Sequence, residues 1–190
     1  MSAVNATIFT PDGSHLVCGT ASGKFHVWHF AEANHDDEGD TGGLTPSRVA
    51  TLQAHATGCA IYALVFTETS AGLLLISGAD EEIRGWRWDA VLAAARSGAA
   101  MPPPVLRLEN PRTSLRRGAL GQLSETAALA VDPTTGLLYS AAGDGNAYAW
   151  DLSTSSSVAT FKGVGEPLHC LSLCRCAISP QSSLSLHLWS

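Results

Sequence analysis

The chain has 190 residues, 45% of them apolar and 15% charged, with a net charge of −6 and a pI near 5.5. That length and composition describe a folded protein with enough chain for a real core, and they exclude a disordered one. The acidic balance gives no electrostatic reason for direct, non-specific nucleic-acid binding. No apolar run approaches the ~18 residues of a bilayer span, and the first residues lack the basic start and apolar stretch of a secretory signal.

In chain order, a first unit covers about 3–30. Thr7-Ile8-Phe9 is β-prone, and Thr10-Pro11-Asp12-Gly13 is a turn in which proline presets φ and Asp-Gly favours reversal. Strands are expected at His15–Cys18 and Lys24–Phe30, with Ser22-Gly23 as the turn between them. Residues 31–47 are acidic, glycine-rich and without periodicity, and read as an exposed loop. The second unit, about 48–88, predicts strands at Arg48–Leu52, Ile61–Phe66, Leu73–Ile76 and Ile83–Trp88. Leu73–Ile76 is aliphatic throughout and suits a strand buried on both faces. Asp89 is placed as the cap of a short helix from Ala90 to Arg96, ended by Ser97-Gly98. Met101-Pro102-Pro103-Pro104 is a stiff connector, and 105–121 is loop-like, with Arg107, Arg112, Arg116 and Arg117 clustered. The third unit reaches to about residue 152, so that 105–152 forms one segment. A fourth begins at 158–173, and 174–190 is expected to be a divergent tail in which Trp189 is not a repeat tryptophan.

Aligned on their tryptophans, the units superimpose. Six residues before Trp28, Trp86 and Trp150 stand Ser22, Asp80 and Asp144. Gly13, Gly72 and Gly136 open the units 15, 14 and 14 residues before the same tryptophans. Copies in register at separations of 58 and 64 residues make an internal repeat of short strands and turns. The five cysteines are odd in number, and Cys18 and Cys59 fall in or beside expected strands, which reads as reduced thiols rather than a disulfide framework.

Four short strands per unit, a period near 40 once insertions are removed and a closing Trp or Trp-Asp (Trp150-Asp151, and Trp86-Arg87-Trp88-Asp89) resemble the WD40 β-propeller family. The resemblance implies an all-β fold of antiparallel four-stranded blades. Here it is incomplete, about three and a half blades in one domain with the ring not closed, since seven blades need roughly 280 residues. It also implies a hydrogen-bonded tetrad, for which the second unit carries His55, Ser77, Asp80 and Trp86. The third unit has Ser140, Asp144 and Trp150, and the first has only Trp28. A narrower resemblance, to the family of sixth subunits of the THO complex, rests on Thr51–His55, Ile61–Leu64, Ala79–Trp88 and Leu168–Leu173. It implies a scaffold that binds other protein subunits of a THO-type complex in messenger-RNA processing and export, in the nucleus and with the cytoplasm as a further setting. RNA contact would be indirect at most. Its alternative is a substrate receptor that binds a cullin–RING ligase adaptor through a Trp-Asp-x-Arg signature, but Trp150-Asp151-Leu152-Ser153 and Trp88-Asp89-Ala90-Val91 lack the arginine.

Reactive constellations are outweighed. His55, Ser77 and Asp80 superficially make a nucleophilic triad, yet no nucleophile elbow surrounds the serine. Gly19–Lys24 imitates a phosphate loop but is one residue short, and Phe25 stands where a hydroxyl is needed. His169, Cys170, Cys174, Cys176 and His187 fit no zinc spacing. No catalytic residue, metal, cofactor or small-molecule substrate is expected. Arg112, Arg116 and Arg117 are the candidate partner contact, without aromatic residues interleaved for base stacking.

Overall fold

A computed structural model describes residues 2–31, 45–80, 82–109, 124–163, 166–175 and 184–189. Strands β1 (Val4–Phe9), β2 (His15–Thr20), β3 (Lys24–Ala31) and β4 (Thr45–Gln53) form a first antiparallel sheet in sequential order. A second contains β5 (Ile61–Thr69), β6 (Gly72–Ala79), β7 (Glu82–Arg87) and β8 (Leu106–Glu109), with helix α1 (Trp88–Ser97) between β7 and β8. The third holds β9 (Thr126–Val131), β10 (Leu137–Ala142), β11 (Asn146–Asp151) and β12 (Ser156–Lys162). Among the described residues a fourth sheet pairs β13 (Cys170–Arg175) with β14 (Leu184–Trp189). The architecture is nearly all-β, in consecutive blade-like sheets.

The sheets stand face to face in chain order, with β1 beside β5, β5 beside β9, and β9 beside β13. The period-2 geometry of a strand makes this possible, because successive side chains serve opposite faces. In β6, Leu75 joins Val17, Phe25, Val27 and Trp86 in the core shared with the first sheet. Leu74 and Ile76 join Ile83, Leu138 and Trp150 in the core shared with the third. The all-aliphatic Leu73–Ile76 run therefore lies between two hydrophobic layers. Full burial of each such side chain contributes about 1.5–3 kcal/mol. A third layer, Tyr139, Ala141, Ala147 and Ala149 against Leu168 and Leu171, joins the third sheet to the fourth.

Sheets and sequence repeats are offset by one strand. β4 and β12 open the second and fourth repeats but hydrogen-bond to β3 and β11, the closing strands of the repeats before them. The unit drawn at 48–88 thus lends its first strand to the preceding sheet, which ties neighbouring sheets through the chain itself. β8 lies within the stretch read as loop. Part of the expected divergent tail is a strand. Leu184–Trp189 alternates apolar and polar residues and returns as a strand along β13. Trp189 faces Cys170 at the far end of that pair, a register unlike that of the repeat tryptophans.

The helix begins earlier than expected. Arg87 is its N-cap and makes no side-chain cap, while Asp89 sits in the first turn, where Oδ1 accepts the Ala90 N–H at 2.7 Å. Trp88 thus opens the helix instead of ending the strand, and Trp88, Val91 and Ala95 face the first core layer. Gly98, at φ 68°, ends the helix as a left-handed cap and donates its N–H to the Ala94 carbonyl.

Candidate functional site

The junction between the first two sheets gathers the residues marked for a tetrad. Leaving β4, the chain donates the Ala54 and His55 N–H groups to the Gly23 carbonyl, both at 3.0 Å. The Gln53 Nε2 amide donates to the His55 carbonyl at 2.8 Å. This hold swings the His55 ring inward, where Nε2 lies 2.7 Å from Ser77 Oγ and the ring stands edge-on to Trp86 at 5.8 Å. Asp80 is employed elsewhere. Its Oδ2 accepts the Ala60 N–H at 2.7 Å and its Oδ1 accepts the Tyr62 hydroxyl at 2.9 Å. The Trp86 indole, 1% exposed, donates to the Pro102 carbonyl at 3.1 Å and meets Phe25 edge-on at 5.4 Å. The expected relay from indole through serine and histidine to aspartate therefore divides into three contacts. The indole's acceptor comes from the proline connector beyond α1.

In the third sheet the indole does find its serine, with Trp150 Nε1 donating to Ser140 Oγ at 2.9 Å in a buried setting. Asp144 accepts the Asn146 N–H at 3.0 Å and the Tyr148 hydroxyl. Both turn aspartates thus hold a tyrosine hydroxyl, a role that the repeat alignment did not indicate. In the first sheet Trp28 is half-buried, and Ser22 Oγ lies 3.1 Å from Thr20 Oγ1. One register unites all three tryptophans, for Trp28, Trp86 and Trp150 lie across from Leu16, Leu75 and Leu138.

Electrostatics favour a structural role. Burial, reinforced by the Arg84 guanidinium and partly opposed by Glu82, pushes the His55 imidazole down to about 4, so the ring is neutral at physiological pH. Burial and the adjoining aspartates push Tyr62 and Tyr148 up to about 12, which keeps both hydroxyls protonated as donors. Arg84 pairs with Glu82 and donates to the Ala54 carbonyl at 2.9 Å, binding the second sheet to the first. Ser77 is wholly buried and His55 is 3% exposed, so no substrate reaches that pair.

A cleft of about 500 Å³ opens between the turns of the second and third sheets, lined among others by Thr67, Glu68, Arg87, Asp151 and Ser153. A smaller hollow of about 350 Å³ shares Thr67, Glu68 and Gly136 with it and reaches Pro11 and Val131. Neither hollow is legible in the linear pattern, because the walls come from turns of different repeats. Arg112, Arg116 and Arg117 lie outside the described residues. Arg107 is described, on β8, with Nε 3.7 Å from Glu82 Oε2.

The sequence model of the WD40 family, described as WD domain, G-beta repeat, matches residues 1–29. Over 175 residues the chain is 32% identical to THO complex subunit 6 of Arabidopsis thaliana, covering 86% of this chain and 46% of that relative. It is 26% identical over 164 residues to THO complex subunit 6 homolog of Danio rerio, covering 86% of this chain and 45% of the relative. With THO complex subunit 6 of Homo sapiens it shares 26% over 178 residues, covering 91% and 46%. The chain spans about half the length of the curated relatives it matches. Tryptophan-closed sheets in one register, a WD40 family model on the first repeat and these relatives along 86–91% of the chain make it similar to WD40-repeat proteins.

Proposed function

We propose that the chain serves as a non-enzymatic WD40 scaffold in a THO-type nuclear complex acting in messenger-RNA processing and export. The observation that carries this reading is likeness to proteins named THO complex subunit 6 from a plant, a fish and mammals, over 86–91% of the chain. The mechanism is docking of partner proteins on sheet faces, strand edges and the loops between sheets, within one domain of consecutive blade units. His55, Ser77, Asp80, Trp86, Ser140, Asp144 and Trp150 are framework residues in this reading. They hold neighbouring sheets at fixed spacing so that the outward surfaces keep their shape. Arg112, Arg116 and Arg117 are a proposed contact for an acidic partner surface, and any RNA contact is indirect. A scaffold role agrees with the burial of the His55–Ser77 pair, which leaves that serine–histidine contact without access to a substrate. The ligase-receptor alternative has no observation in its favour. Asp151 Oδ1 accepts from Ser153 N at 2.8 Å and Ser153 Oγ at 2.6 Å, at the residue where that signature needs arginine.

The test is affinity purification of the tagged chain from nuclear extract, with mass spectrometry of what is retained. Recovery of the other THO subunits is expected, and their absence from a folded, nuclear bait overturns the reading.

A further inference from the structure

The cleft of about 500 Å³ between the second and third sheets is of a size that takes the side chains of a ligand. Glu68 near the end of β5, Leu74 on β6, Arg87 at the end of β7 and Val105 just before β8 come from the second sheet, and Gly136 and Asp151 from the third. Both sheets are packed on each face among the described residues, so the cleft does not depend on either end of the row.

Its charge is one-sided. The Arg87 guanidinium is already met by Asp89, with Nε donating to Oδ1 at 3.1 Å and Nη2 standing 2.5 Å from Oδ2. Glu68 and Asp151 have no cationic partner among the described residues. The Ser153 hydroxyl and N–H hold the Asp151 carboxyl below the usual carboxylate range, so it carries its charge at physiological pH. A cation is attracted by this pair, and the phosphates of a nucleic acid are repelled.

Apolar surface lies beside the charge. Val105 is 60% exposed although its side chain is aliphatic, and Leu74 adds a further apolar wall. The adjoining hollow of about 350 Å³ shares Glu68 with the cleft and is lined mainly by apolar residues, among them Val65, Phe66, Leu73 and Val131. A small amine would use the carboxylates and leave this surface empty. An extended peptide can serve both, because its neighbouring side chains enter separate pockets.

We propose that the cleft binds an extended segment of a partner protein, a lysine or arginine side chain seating between Glu68 and Asp151 and a neighbouring aliphatic side chain entering the hollow beyond Glu68. The proposal rests on the scaffold reading only in taking a protein as the occupant, and not on which complex the chain joins.

The test is nuclear magnetic resonance titration of the isotope-labelled 190-residue chain with the capped pentapeptide Ala-Leu-Arg-Leu-Ala, to about 2 mM. Two further peptides replace the arginine by glutamine or both leucines by serine. The parent peptide should give saturable shifts confined to the β5–β6 hairpin and the β11–β12 turn, and both altered peptides should bind clearly more weakly. Glu68→Gln changes an exposed side chain without a cationic partner, and should weaken the arginine peptide about fivefold. Arg87→Gln, which leaves Asp89 uncompensated, should tighten it. Glu109→Gln, at an exposed carboxylate of β8 that does not line the cleft, should change nothing, which separates a built site from the general pull of an acidic chain. Absence of shifts, shifts spread over the surface, equal binding of the glutamine peptide, equal binding of the serine peptide (a site for a cation alone), or equal losses in Glu68→Gln and Glu109→Gln would each overturn the proposal. Recovery of THO subunits is a separate measurement, so either reading can fail while the other stands.

Discussion

Ser140 and Trp150 carry the plainest energetic statement at the level of single residues. A buried indole N–H left without its acceptor costs about 1–3 kcal/mol, whereas removing donor and acceptor together is far milder. Ser140→Ala should lower unfolding stability by that amount in denaturant titrations, and by less than about 1 kcal/mol when made in a Trp150→Phe background. Additive costs would mean that the 2.9 Å contact contributes nothing of its own. His55 adds a pH dependence. Its folded-state value is about 4 and its ordinary value 6.5, so between these the unfolded chain binds a proton that the folded chain refuses. Stability from this residue is complete above pH 6.5, declines as the pH falls toward 4, and levels off below. The 2.5-unit difference corresponds to about 3 kcal/mol. Unfolding curves taken across that window should show the decline, and His55→Gln should flatten this part of the profile. An unchanged slope in the variant would assign the acid sensitivity to other groups.

Strands and turns show which features the sequence made legible. The repeat was readable because indole rings recur behind glycine reversals, and each strand of the first two repeats up to Arg87 appears where β-prone residues put it. The strand offset was not, since nothing in a linear pattern says which neighbour an outer strand will pair with. Trp86's acceptor was unreadable for a similar reason, because Pro102 lies in the insertion between β7 and β8, outside the aligned part of the repeat. β14 was missed because its alternating leucines carry no turn signal and no aligned tryptophan. The turn at Gly23 allows a sharper test. Its φ is +76°, and a Cβ there would stand 2.7 Å from the Ala56 carbonyl oxygen and 2.9 Å from that of Cys59. Gly13 has nearly the same φ, +73°, with open space around it. Gly13→Ala should therefore cost only the left-handed strain, about 1 kcal/mol. Gly23→Ala should cost clearly more, because the clash falls on backbone that ties the first two sheets together. Equal losses in thermal unfolding would remove the argument that this carbonyl hold sets the sheet spacing.

Across the whole molecule, stability should grade along the row. Among the described residues, the second and third sheets are covered on both faces, and the first and fourth on one each. Local opening free energy follows buried apolar contact, so amide exchange should rank the elements in a definite order. Slowest should be β6 and β10, central strands of doubly covered sheets. β2 and β3 should come next, and β13 and β14 should exchange fastest, since among the described residues their sheet has only two strands. In dilute protein, uniform protection would mean that the four sheets open as one unit, contrary to a row held by successive pairwise layers.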